Sequence, residues 1–211
     1  MSELEIVPLT PARLPDLAAL FGQGGDPRWC WCAFYRTREF RPANREESIA
    51  PNRAVLEGAV QTLQAEERAP GLVAYRGDEA VGWVSLGPRT DYERLEHSTV
   101  LARIDDKPVW SIVCFVVGRK SRGQGVAKAM LEAAIAYARD HGATLIEAYP
   151  TDTDGKRIRA ADAYRGTLSM FERAGFEVAA RRQFNATSPV RPIVRRRVRK
   201  PRPAAQGRRP A

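Results

Sequence analysis

Hydrophobic positions change period along the chain, and the changes mark where strands give way to helices. From Val109 to Val117 only Ser111 is polar, and β-branched and aromatic side chains occupy both parities, which predicts a strand buried on both faces. From Gly125 the apolar positions Val126, Met130, Ala133, Ala134, Tyr137 and Ala138 fall at helical spacing, while Lys128, Glu132, Arg139 and Asp140 point elsewhere. A helix is therefore expected to about His141, closed by Gly142, after which Thr144 to Tyr149 resumes as a strand. The unit is strand, turn, helix, strand.

Other elements follow in the same way. Leu4 to Val7 reads as a first strand. Thr10-Pro11 starts a helix over Ala12 to Phe21, with Leu14, Leu17, Ala18 and Phe21 inward and Gly22 as its end. Asn44 to Glu67 reads as a helix interrupted at Pro51, with Val55, Leu56, Ala59, Val60 and Leu63 on one face. Leu72 to Tyr75 and Ala80 to Leu86 form a hairpin across Arg76-Gly77-Asp78-Glu79. Gly87 to Lys107 is a long polar connection anchored by Tyr92, Leu95 and Leu101, and its Asp91, Glu96, His97, Asp105 and Asp106 are either acid/base groups or solvated charges. Ala160 to Ala174 is the last helix, ended by Gly175. Phe176 to Phe184 and Val190 to Val198 then form an antiparallel pair, which puts Arg195 to Arg197 on a strand.

The turn between the central strand and its helix, Gly118 to Lys128, holds three glycines that let a backbone approach a ligand closely. A helix start offers unpaired N–H donors and partial positive charge, and Arg119, Lys120, Arg122 and Lys128 add full charges, so the expected ligand is a pyrophosphate. Two familiar phosphate loops fail here. A P-loop needs Lys and Ser/Thr after its second glycine, where this chain has Gln124 and Gly125, and a dinucleotide fingerprint needs a third glycine where Lys128 stands.

Arg122-Gly123-Gln124-Gly125-Val126-Ala127 resembles the Arg/Gln-x-x-Gly-x-Gly/Ala signature of the GNAT superfamily of N-acetyltransferases, and Phe171-Glu172-Arg173-Ala174-Gly175-Phe176 resembles that family's Tyr-x-x-x-Gly-Phe helix ending. The resemblance covers residues 70 to 185, and it departs at Phe171, which replaces the tyrosine. It implies an α/β fold with a mixed, mostly antiparallel central sheet, splayed between its two parallel central strands and flanked by helices. Residues 1–200 would form that single domain, with 201–211 a disordered basic tail. The implied activity is N-acetyltransfer from acetyl-CoA, the co-substrate, to an amine acceptor that the sequence does not identify, by direct attack in a ternary complex. The resemblance assigns cofactor contacts to the strand edge at Phe115, Val116 and Val117, and to Arg122, Gly123, Gln124, Gly125, Val126, Ala127 and Lys128. Phe171 is expected to pack against the cofactor arm.

Two residues are catalytic candidates. Glu147, an acid on a strand expected to be buried, is either the proton acceptor or half of an ion pair. Tyr164 lies seven residues before Phe171 on the same expected helix face, about 10 Å along its axis, too far simply to substitute for the missing hydroxyl, and is expected to line the pantetheine arm or the acceptor instead.

Bulk properties narrow the reading further. A chain of 211 residues suits one domain, and no apolar run approaches the roughly 18 residues of a membrane span. Met1-Ser2-Glu3 opens no signal peptide, so a cytoplasmic protein is expected, as monomer or homodimer. Cys30, Cys32 and Cys114 cannot all pair, and Cys30-Trp31-Cys32 lacks zinc-ligand spacing, so neither a disulfide nor a metal is expected. The aromatic stretch Arg28 to Arg36 is either core packing or an acceptor-pocket wall. Eleven of the 34 basic residues and none of the 25 acidic ones follow residue 180. That basic end suggests weak, non-specific nucleic-acid binding, though no aromatic follows Phe184 to stack on bases. The alternatives to an enzyme are a non-catalytic acyl-CoA-binding module and a nucleic-acid-associated protein.

Overall fold

The computed structural model describes residues 3–40, 46–156 and 160–199, for residues 160–162 the backbone alone. The expected tail, 201–211, lies outside the described residues. Seven strands, β1 (Leu4–Pro8), β2 (Gly71–Arg76), β3 (Glu79–Pro88), β4 (Trp110–Val117), β5 (Leu145–Ala148), β6 (Glu177–Arg182) and β7 (Arg191–Arg197), form one sheet in the order β1-β2-β3-β4-β5-β7-β6. Only β4 and β5 run parallel; the other five pairings are antiparallel. The expected hairpin is β2–β3, and the basic run Arg195 to Arg197 does lie on a strand.

Helices cover both faces. On one, α5 (Val126–Asp140) buries Val126, Met130, Leu131 and Ala134 against Val84, Ile112 and Phe115. On the other, α1 (Leu14–Gly22), α2 (Asp26–Cys30) and α3 (Ile49–Gln64) close over Trp83, Val113 and Cys114 with Leu17, Phe21, Trp31, Leu56 and Val60. Pro51 does not interrupt α3. It occupies the first turn, where its missing N–H would have had no intrahelical acceptor. No helix among the described residues is long and apolar enough to cross a membrane.

β4 is apolar on both parities because both its faces are covered, and a bulge shifts its faces partway along. Against β3, Ser85 pairs with Cys114 and Leu86 with Ile112, which leaves Val113 as an extra residue. Before it, Trp110 and Ile112 face α5; after it, Phe115 and Val117 do, while Val113 and Cys114 both turn to the opposite core.

The last helix also differs from its expected form. Residues Ala160–Arg165 make a 3-10 turn, Gly166 adopts φ +73°, and only then does α6 (Leu168–Arg173) begin, its first turn capped by the Thr167 side chain, which accepts from the Met170 N–H. Tyr164 and Phe171 therefore do not share a helix face.

The polar connection 87–107 is held by charge buried inside the fold. It carries a 3-10 turn at Arg89–Asp91 and a short helix, α4 (Glu93–Glu96). Arg89 is 2% exposed, and all five of its N–H groups find acceptors: Nε donates to Glu96 (2.7 Å), Nη1 to Glu147 (2.9 Å) and the Tyr149 hydroxyl (2.8 Å), and Nη2 to the carbonyls of Leu95 (2.7 Å) and Leu101 (2.6 Å). Arg195 Nε donates to the second Glu147 oxygen at 2.7 Å, and its Nη1 to Asp105 at 2.9 Å. Glu96 and Asp105 are thus partners within the fold. Three more arginines after residue 180 are spent in the same way: Arg181 pairs with Asp152 at 2.6 Å, Arg182 donates to the carbonyls of Ala102 and Arg103, and Arg196 donates to the Ala174 carbonyl at 2.6 Å.

Candidate active site

β4 and β5 separate early. Their pairing is confined to Trp110 with Ile146, Ser111 with Glu147 and Ile112 with Ala148, after which β5 ends and its chain leads to a bridge between Thr151 and Thr167. Beyond Ile112 the β4 edge that faces β5 has no strand beside it among the described residues, and a cleft of about 640 Å³ opens there. Phe115, Val116 and Val117 form one wall, and Ala163, Tyr164 and Gly166 line it as well. Leu20, Gln23, Asp26 and Pro27 reach it from α1, α2 and the loop joining them. Its end is built from Arg119, Ser121, Arg122, Gly123, Gly125 and the first residues of α5.

That end is shaped for an anion. Gly123 and Gly125 have φ of +75° and +78°, a region open to glycine, and a Cβ at either would meet nothing within 4 Å. The obstacle to a side chain is the backbone, since the space beside it is open. Gly125 is the N-cap of α5 and supplies no side-chain cap; the first helical bond runs from Ala129 N–H to Gly125 O at 3.0 Å. The N–H groups of Val126, Ala127 and Lys128 consequently have no intrahelical acceptor and carry the positive end of a 15-residue helix. Arg122 is fixed beside them, its Nε donating to the Val117 carbonyl at 3.2 Å.

Residues 29–176, well over half the chain, match the acetyltransferase (GNAT) family. The chain belongs to that family. It is an acetyltransferase, and its splayed sheet and glycine loop are those of the GNAT fold. Solved structures agree on the fold: a GNAT-family protein from Desulfovibrio desulfuricans (TM-score 0.55, 18% identity, 92% of this chain and 99% of that one) and a histone acetyltransferase HPA2 and related acetyltransferase from Corynebacterium glutamicum (0.55, 20%, 95% and 99%). A third, titled as the NatC complex bound to Gag peptide and CoA, superposes with TM-score 0.52 at 13% identity over 93% of this chain and 99% of that one. No curated protein matches the chain.

Of the residues expected to serve a GNAT site, the cleft brings together Phe115, Val116, Val117, Arg122, Gly123, Gly125, Val126, Ala127, Lys128 and Tyr164. Gln124 is not in the lining; its amide donates to the Lys120 carbonyl at 2.7 Å and its oxygen accepts from Arg76, so it braces the loop from outside. Phe171 is fully buried behind the wall, edge-on to Phe115 (6.1 Å between centroids) and Phe176 (5.1 Å), and supports the cleft through Phe115. Glu147 is 1% exposed and absent from the lining, held by Arg89, Arg195 and the Tyr149 hydroxyl. The ion pair, the other role open to it in sequence, is what the geometry displays. Among the described residues that line the cleft the one carboxylate is Asp26, at the exposed start of α2.

The aromatic stretch 28–36 divides. Trp31 and Cys32 both have positive φ (47° and 49°), an uncommon conformation for non-glycine residues that costs about 1–3 kcal/mol at each. It tucks Trp31 edge-on to Phe21 at 5.3 Å and sets the Cys32 Sγ 3.2 Å from the Trp83 indole N–H and 3.1 Å from the Cys114 Sγ. These residues are core. Burial pushes the Cys30 thiol up to about 12 and raises Tyr35 and Tyr164 as well, so both phenols stay protonated at neutral pH. Tyr35 differs from its neighbours in meeting Tyr164 and Arg165 at the cleft wall. Sequence reasoning overlooked the cleft contacts of Leu20, Gln23 and Asp26; the signal available was the glycine-rich break Gly22 to Pro27 between two short helices.

Proposed function

We propose that this acetyltransferase moves the acetyl group of acetyl-CoA onto a primary amine by direct attack within a ternary complex. The observation that carries the reading is a single cleft that joins the half-paired edge of β4 to the glycine loop before α5. The N–H groups of Val126 to Lys128, with Arg122 and Lys128, bind the diphosphate, and the open main chain of Phe115 to Val117 takes the amide-bearing arm as a strand would take a neighbour. Acetyl-CoA, when bound, supplies the thioester. N–H groups on the β4 edge stabilise negative charge as it develops on the thioester oxygen.

Tyr164 is the residue proposed to give its proton to the departing sulfur. Its hydroxyl stays protonated because burial raises it, and with Ser121 it makes up the side-chain hydroxyls of the lining. The amine enters already deprotonated, because Glu147 is sequestered and Asp26 is exposed. Below the amine's own pKa, kcat/KM should therefore rise about tenfold per pH unit, with no inflection from a buried carboxylate.

The test is coenzyme A thiol release with a panel of primary amines. Intersecting two-substrate kinetics and no acetylated protein by mass spectrometry are expected. Ping-pong kinetics with an acetylated cysteine would overturn direct attack.

A further inference from the structure

Three thiols gather where the turn 28–36 packs against β4. Cys32 and Cys114 lie 82 residues apart in sequence, yet their Sγ atoms stand 3.1 Å from each other inside the core. Both are free thiols, as is Cys30, the most exposed of the three. A disulfide needs its sulfurs about 2.05 Å apart, so the pair has about 1 Å left to close.

The place of Cys32 is set by more than the course of a turn. Trp31 and Cys32 hold φ of 47° and 49°, a conformation that non-glycine residues keep only where their surroundings over-determine it. Here the Trp31 ring is fixed edge-on to Phe21, and the Trp83 indole N–H donates to the Cys32 Sγ at 3.2 Å. Cys114 is fixed as firmly, in the middle of β4 and directly before Phe115, whose side of the strand forms the cleft wall.

The three sulfurs are not equivalent. The bond to Cys114, then that to Trp83 and the nearby Arg36 charge, together outweigh burial and lower the Cys32 thiol. Its bond to Cys32 and burial raise Cys114, and burial pushes Cys30 up to about 12. Since the thiolate is the nucleophile, Cys32 is the sulfur that attacks and Cys114 the one beside it that resolves, while Cys30 stays a thiol despite its exposure.

We propose that Cys32 and Cys114 form a modification site, a dithiol that a peroxide oxidises reversibly to a disulfide, fastening the turn 28–36 to the strand of the cleft wall. The Cys32 sulfur attacks one peroxide oxygen, the O–O bond breaks, and the other oxygen leaves with the Cys32 proton as water. The Cys114 sulfur then attacks the resulting sulfenic sulfur, the S–O bond breaks, and the hydroxyl leaves with the Cys114 proton as a second water. Two thiols have lost two electrons and two protons, and the peroxide has been reduced to two waters. With Cys32 5% and Cys114 9% exposed, the oxidant has to be small. This site is independent of the identity of the amine acceptor.

The experiment treats the folded full-length protein with hydrogen peroxide, quenches with an alkylating agent in denaturant, and maps the peptides without reduction. The intact mass should fall by two hydrogens before alkylation, one alkyl group should be found in place of three, and the bond should join Cys32 to Cys114. Dithiothreitol should restore all three thiols. The oxidised form should unfold about 5–10 °C higher than the reduced form, because the bond closes a long loop. Cys30→Ser should leave the bond and that rise intact, whereas Cys114→Ala should abolish both. Three thiols alkylated after peroxide treatment of the wild type would overturn the proposal. So would a bond made by Cys30, a sulfinic acid at Cys32 without any disulfide, or an oxidised form that unfolds at or below the temperature of the reduced one.

Discussion

Arg89 is buried and Arg165 half-buried, and the two guanidiniums are partnered differently. Arg89 has an acceptor for each of its five N–H groups, supplied by α4, by the connection that follows it and by β5. Arg165 has the Tyr164 ring beside it, the hydroxyls of Tyr35 and Tyr164 nearby, no carboxylate partner among the described residues and an Nε that makes no hydrogen bond. A saturated buried charge is a fastener, because everything it can do is already done. A donor left without an acceptor is not spent in that way. The same distinction separates Glu147, with both oxygens engaged, from the N–H groups at the start of α5, which have no intrahelical acceptor.

The contrast can be broken most forcefully at Arg89. Arg89→Met leaves Glu147 with Arg195 as its one remaining cation and should cost about 3–5 kcal/mol of unfolding free energy in urea. A smaller loss, under about 1 kcal/mol, would mean that the network is ornamental. Glu147→Gln should cost about 2–3 kcal/mol by loss of charge-assisted bonds while leaving the pH profile of turnover unchanged. A variant that stays as stable as wild type yet loses its turnover would make Glu147 catalytic after all.

On the open side of the comparison, Gly125→Val forces a β-branched residue into φ +78° and so distorts the loop that lines the cleft. Affinity for acetyl-CoA in calorimetry should fall about 10²-fold or more, equivalent to about 2.7 kcal/mol. Unchanged affinity would move the cofactor elsewhere.

A smaller effect concerns acid. Bonds from Arg195 and Lys107 hold the Asp105 carboxyl down to about 2, and for Glu96 burial is outweighed by the bonds and charges of Arg103 and Arg89, which lower it. Depressed carboxylates contribute stability that is complete above their unfolded values, near 4, and lost as pH falls through the folded ones. The wild type should therefore lose stability between about pH 4 and pH 2, with a shallower loss in Arg89→Met, where Glu96 has lost one partner. Identical acid limbs would remove Arg89 from the cause.

What could be read from sequence was local. The β4 run, the glycine loop and α5 each declare themselves within a few residues, through side-chain period and through glycines at positions that need positive φ. The bulge at Val113 could not be read, because it exists only in register with Ser85 and Leu86. The bond between Arg89 and Glu147 joins residues 58 apart and that between Arg195 and Glu147 residues 48 apart, so the partners of a suspicious buried acid had no nearby signature. Gly166-Thr167 was legible and went unused: a glycine in a helix-stop position followed by a capping residue divides the last helix, and with it the apparent alignment of Tyr164 with Phe171.

The most direct measurement is the unfolding free energy of Arg165→Met beside that of Arg89→Met in the same buffer. Removing a cation with no carboxylate partner among the described residues should leave the protein within about 1 kcal/mol of wild type, against a loss of about 3–5 kcal/mol for the saturated one. Equal losses would show that Arg165 is a fastener too, and that saturation does not separate the two in this fold.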